Sequence, residues 1–144
     1  MREFTAFATR FHKLKRDLQD IEESQYARLL QQERALQLQW QQLEDLSREA
    51  RGRMKEAASV LLVQSYVSYQ EAIETRKAHL EREWAALQGD VHAQQGKLRD
   101  AYVEQEKWSR ISQDARMEDR VERMRKLQVE ADDEALKRFK RTDV

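Results

Sequence analysis

The chain has 144 residues, of which 38% are charged and 40% hydrophobic, with three glycines, no proline and no cysteine. Its 27 basic and 27 acidic residues cancel, which argues against a protein that coats nucleic acid. Without cysteine there is neither a disulfide framework nor a thiolate zinc site.

Ala, Glu, Lys, Leu, Arg and Gln dominate, all good helix formers, and such a composition on a repeating apolar period marks a coiled coil. No apolar run approaches the ~20 residues needed to span a bilayer. Met1-Arg2-Glu3-Phe4 lacks the apolar core of a signal peptide. The default expectation is a soluble cytoplasmic protein.

Helix 1 is expected over about 3–55. Phe4, Phe7, Phe11, Leu14, Leu18 and Ile21 are spaced 3, 4, 3, 4, 3, a heptad seam from the start of the chain. Leu18, Ile21, Gln25 and Leu29 then run 3, 4, 4, a step that locally unwinds a left-handed supercoil. Beyond it Leu29, Leu36, Leu43, Ala50 and Ala57 recur at sevens, with Trp40, Leu46 and Met54 broadening the stripe. The turn is expected at about 56–60, where Ser59 can cap the next helix.

Helix 2 is expected over about 61–140. Tyr66, Ile73, Leu80, Leu87, Ala101, Trp108 and Ala115 lie on one heptad phase, interrupted by the polar Gln94, with Tyr69, Trp84, Val91 and Leu98 between. The fold predicted is all-α: one domain over 1–144, a long antiparallel two-helix coiled-coil hairpin with helix 2 extending beyond helix 1. Residues 3–55 would pair with about 61–113, placing Phe11 near Ala101 to Ser109 and Leu43 near Ile73. A single uninterrupted helix that dimerises in parallel is the competing reading; a turn near 57 is preferred because it makes the two stripes similar in length. Past about 116, Val121, Met124, Leu127, Ala131, Ala135 and Phe139 keep an apolar face with no partner in helix 1, so a second protein or a second copy is expected to cover it.

Gly89 and Gly96 fall inside helix 2, read either as tolerated surface glycines or as a flex point or close approach. His12, His79 and His92 form no ligand pair, and no glycine-rich turn presents a nucleophile or cradles a phosphate. Carboxylates interleave with Lys and Arg, as with Glu81 near Lys77 and Arg82, in the manner of solvated helix faces. The expectation is a binding module: not an enzyme, with no cofactor and no metal. Two basic clusters, His12-Lys13-x-Lys15-Arg16 and Lys137-Arg138-x-Lys140-Arg141, fall toward the open end. The second is either helix-dipole compensation or a contact for an acidic partner. At the turn end, Val60 to Val63 with Tyr66, Val67 and Tyr69 exceed what one seam needs. They form either an apolar cap or an exposed patch.

Length, the Phe-rich amino-terminal heptad and a reversal near residue 58 together resemble the flagellar export protein FliJ family, over essentially the whole chain. Tyr66-Val67-Ser68-Tyr69-Gln70-Glu71-Ala72-Ile73 is similar to the aromatic opening of that family's second helix. Glu130-Ala131-Asp132-Asp133-Glu134-Ala135 before Arg138-Phe139 is similar to its carboxy-terminal Asp-Glu segment. The resemblance implies a stalk and adaptor of type III flagellar export, cytoplasmic and peripheral to the membrane through the export gate only. Its implied partners are the hexameric export ATPase FliI, the gate protein FlhA and export chaperones, with no nucleic acid. The ATPase contact would involve Lys13, Arg16, Val121, Met124, Leu127, Lys137, Arg138, Phe139, Lys140 and Arg141. The gate contact would involve Tyr66, Tyr69, Gln70 and Ile73. A stalk protein of the injectisome YscO type, or a dimeric coiled-coil scaffold, are the alternatives.

Overall fold

The computed structural model describes residues 2–142. It consists of two long helices packed against each other, α1 over Arg2–Lys55 and α2 over Val60–Thr142, with no strand among the described residues. The connection between them needs no glycine, since no described residue has a positive φ. Tight bonds from Glu56 N to the Arg53 carbonyl and from Ala57 N to the Met54 carbonyl close the last turn of α1. Ser59 then opens α2. Its Oγ accepts from Leu62 N at 3.2 Å and its carbonyl from Val63 N at 3.1 Å, so one side chain satisfies a helix-start donor that water would otherwise hold.

Two compact units are defined, one of residues 1–21 with 99–144 and one of Glu22–Leu98. In the Glu22–Leu98 unit the buried and half-buried positions of α1 include Glu22, Tyr26, Leu29, Glu33, Leu36, Trp40, Leu43, Ser47 and Ala50. Those of α2 include Ile73, Lys77, Leu80, Trp84, Leu87, Val91, Gln94 and Leu98. Both series alternate steps of three and four, the spacing of a coiled-coil seam. Polar groups within it are paired across the helices. Gln70 donates to the Ser47 carbonyl at 2.9 Å and Ser47 Oγ donates back to Gln70 Oε1 at 2.9 Å. Gln88 donates to Glu33 at 3.2 Å, and Gln94 to the Glu22 carbonyl at 3.1 Å and to the Glu22 carboxylate. Lys77 sits inside the seam, its ammonium 2.5 Å from Glu44 and 5.2 Å from the Trp40 ring. The local sequence puts Lys77 beside Glu81 on a solvated face. The structure instead buries its stem and turns its charge across the seam, where Lys77 holds the Glu44 carboxyl below its ordinary range.

In the other unit the buried and half-buried positions of α1 include Thr5, Ala8, His12, Lys15 and Gln19. They continue the alternation of three and four. The expected seam does not form there: Phe4, Phe7, Leu14, Leu18 and Ile21 are each between 41% and 51% exposed. Nor is the step between Leu18 and Leu29 used, because the buried series on α1 keeps one phase. The reason is that each polar seam residue finds a partner while small residues admit close approach. Ala8 on α1 is buried, as are Ser112 and Ala115 on α2. Thr5 bonds the Ala115 carbonyl and Asp119, and His12 meets Gln105. Keeping phase therefore costs no unsatisfied polar group: among the described residues every buried side-chain nitrogen and oxygen has a partner, as folded proteins require. The Phe stripe is turned one residue, about 100°, around α1 from the seam.

Gly89 and Gly96 have nothing within 4 Å of the place a methyl group would occupy, and neither has strained backbone. The close-approach reading is excluded at Cβ. Gly89→Ala and Gly96→Ala should each raise stability by about 1 kcal/mol, since alanine restricts the unfolded chain and favours helix. Thermal denaturation of the single and double variants checks this. A fall in melting temperature would mean that the helix needs the freedom.

Candidate functional site

Two surfaces carry more apolar area than the fold uses. The first belongs to the unit of residues 1–21 with 99–144. On α1 it is the outward stripe Phe4, Phe7, Leu14, Leu18 and Ile21. Phe11 is half-buried, stacked on Phe7 at 5.5 Å and edge-on to Trp108 at 4.5 Å. That aromatic trio anchors one margin of the stripe, with Lys15 Nζ 5.1 Å from the Phe11 ring. On α2, Asp119 is the last residue with partial burial, and every residue from Arg120 to Thr142 is exposed. Met124, Leu127, Val129, Leu136 and Phe139 are all more than half exposed.

Each residue expected at an ATPase contact falls in this unit. Lys13 and Arg16 are exposed on α1. Val121, Met124, Leu127 and Phe139 lie in the exposed stretch, as do Lys137, Arg138, Lys140 and Arg141. Arg138 pairs loosely with Glu134 at 3.8 Å, and Thr142 Oγ1 donates to the Arg138 and Phe139 carbonyls, which finishes the helix. Sequence reasoning missed Phe4, Phe7, Leu14, Leu18 and Ile21 as surface residues by assigning them to the seam. The signal was there one position on: Thr5, Ala8, His12, Lys15 and Gln19 keep the heptad phase of Leu29 and Leu36.

His12 is the one imidazole in this unit. Burial, then Arg16 and Arg116, holds it below the ordinary imidazole range. Its Nε2 lies 2.9 Å from Gln105 Nε2, so an unprotonated Nε2 accepts that bond and protonation would set donor against donor. A depressed folded pKa stabilises above the unfolded value and is lost as pH falls. Stability should therefore drop as pH falls below about 6.5, the unfolded histidine value, toward the lower folded one. His12→Gln should flatten that drop, read as melting temperature against pH; an unchanged slope would assign it to other groups.

The second surface is the turn end, in the Glu22–Leu98 unit. Val60 and Leu61 are 75% and 76% exposed, with Leu62, Val67 and Tyr69 also exposed. Of the residues expected at a gate contact, Tyr69 is exposed and Tyr66 half-buried. They line a shallow groove of about 440 Å³ with Leu46, Ala50 and Leu62. Gln70 is tied to Ser47 and Ile73 is 4% exposed. These two belong to the seam and offer little to a partner.

Between these surfaces in sequence, Leu36, Trp40, Leu80 and Trp84 line a groove of about 460 Å³. Among the described residues, no group of three or more His, Asp or Glu converges as metal ligands, and no helix is long and apolar enough to cross a membrane. No family model, curated protein or solved structure matches the chain.

Proposed function

We propose that the chain is a non-catalytic stalk and adaptor of a type III flagellar export apparatus, of the FliJ kind. On this reading it is an antiparallel two-helix coiled coil whose second helix runs on past the first. Support for that geometry comes from the cross-helix partners, which step backwards along α2 as α1 advances. They run Thr5 with Asp119 and His12 with Gln105 in one unit, then Glu22 with Gln94 and Ser47 with Gln70 in the other. Unequal element lengths, 54 and 83 residues, support the overhang.

The observation that carries the function is the surplus of exposed apolar side chains in the unit of residues 1–21 with 99–144. A helix face bearing Met124, Leu127, Leu136 and Phe139 is marginal in water without packing. Enclosure by a ring-shaped export ATPase would supply that packing. The basic groups at Lys13, Arg16, Lys137, Arg138, Lys140 and Arg141 would speed encounter with an acidic channel. Tyr66 and Tyr69 would contact the export gate, which places the protein in the cytoplasm at the gate, with export chaperones as further partners.

The test is binding of the full chain and of a variant ending at Arg120 to the purified hexameric flagellar export ATPase. The variant retains Asp119 and every buried position, so its helical signal per residue should persist. Its affinity should fall at least a hundredfold. Undiminished binding would move the contact elsewhere, and binding only to an injectisome ATPase would shift the assignment to the YscO-type stalk.

A dimeric scaffold draws support from one observation: the exposed stripe from Phe4 to Ile21 has coiled-coil spacing. In a parallel pair built on that stripe, Arg10 would flank Lys15 and Asp17 would flank Glu22 of the second copy. Both contacts are like-charged at the positions that set coiled-coil partner choice. A solution mass of 17.3 kDa supports the stalk, and twice that the scaffold.

A further inference from the structure

We propose that the turn end is a docking tip for an anionic lipid surface. The starting point is compositional. In a chain that is 38% charged, Ala57 to Gln70 contains no charged residue and is the longest such run. That run forms the reversal and the first turns of α2.

Exposure around the tip argues for lipid over a protein groove. Val60 and Leu61 are 75% and 76% exposed, yet adjacent residues on a helix point about 100° apart. A groove or partner helix accepts one face and leaves the neighbouring residue in water. A fluid apolar medium accepts both, and Leu62 besides. Tyr66 and Tyr69, the pair proposed for the gate, follow one to three turns behind the tip; aromatic rings with a polar end favour the headgroup level, where they can still meet a membrane-embedded partner. Apolar side chains with a basic flank are the pattern of a segment lying at the interface, and no spanning helix is required.

The flank is basic. Arg48, Arg51, Arg53 and Lys55 end α1, all exposed, against Glu49 and Glu56. Arg53 and Lys55 lie in the last turn, where cations offset the helix dipole. Arg48 and Arg51 stand further back, beyond the range of that explanation. Arg53 pairs with Glu49 at 2.9 Å. The remaining excess is positive and sits beside exposed aliphatic side chains, which is the complement of a negatively charged bilayer face. The contact needs no other protein, so it stands whether or not the chain serves in export.

Co-flotation of the full chain with vesicles tests it. Binding should be strong on phosphatidylcholine containing about one third phosphatidylglycerol and weak on phosphatidylcholine alone. It should fall as salt rises, as screening shortens the reach of the charges. Leu61→Asp should reduce it about tenfold or more. The substitution puts an acid in the first turn of α2, where it favours the helix, so helicity should be kept. Arg51→Glu and Lys55→Glu should each reduce binding about fivefold or more. Because the chain has no cysteine, Val60→Cys carries a polarity-sensitive dye at a single site. Its emission should shift blue on anionic vesicles, while the same dye at Leu38→Cys should not shift. Absence of vesicle binding would overturn the proposal. So would equal binding to neutral vesicles, Leu61→Asp binding as well as the native chain, or tip substitutions that weaken only a protein contact.

Discussion

Leu80→Ala should destabilise the Glu22–Leu98 unit by about 2–5 kcal/mol, the range for truncating a buried leucine. Leu80 is 2% exposed, the largest fully buried side chain described. It stands beside a groove of about 460 Å³ bounded by Leu36, Trp40 and Trp84. A two-helix pair has no third layer to settle into the space, so the cavity would merge with that groove and fill with water. Denaturant unfolding followed by circular dichroism measures the loss. Leu38→Ala, on a residue that is 60% exposed on α1, should cost under about 0.5 kcal/mol. Similar losses for the two would mean that the seam does not run where the burial pattern puts it.

The outward stripe of α1 should behave in the opposite way. Replacing Leu14, Leu18 and Ile21 together by glutamine removes three residues that a seam could not spare. Here each is exposed by 41–51%, so the melting temperature should fall only by a few degrees, with about 1 kcal/mol or less from each site. On the proposed stalk reading, binding to the export ATPase should also be lost, because glutamine keeps the helix but withdraws the apolar contact. Collapse of the helical signal would restore the stripe to the seam. Intact folding with intact binding would leave it without a function in this interaction.

These two experiments mark how far the sequence could be read. Helical content, two elements and the break at Ser59 follow from local chemistry: good helix formers throughout, a capping hydroxyl, and stripes on each side. The phase of α1 near its start does not. Hydrophobicity there points to Phe4, Phe7 and Leu14, whereas the pairing uses Thr5, Ala8 and His12. What decides it is a cross-helix property, the supply of hydrogen-bond partners at Gln105, Ala115 and Asp119, and a single helix read by itself carries no record of that. Lys77 is the same lesson in the other unit, since Glu44 lies 33 positions away. The exposed apolar stretch was partly legible at Val121 to Phe139, where no matching stripe remains in α1. Burial of Ile73 and the Gln70 bonds to Ser47 were hidden, because both are set by what faces them on α1.

The paired polar groups inside the seam give each unit a mechanical property. Apolar side chains slide past one another with little loss, as one greasy surface resembles the next. Ser47 with Gln70, or Thr5 with Asp119, does not. A slip of one heptad, about 10 Å along the axis, would separate both members of each pair at once and break their hydrogen bonds together. Resistance to shear thus rises in steps at those rungs, and a push delivered to α1 within a unit is handed to α2 without lost motion.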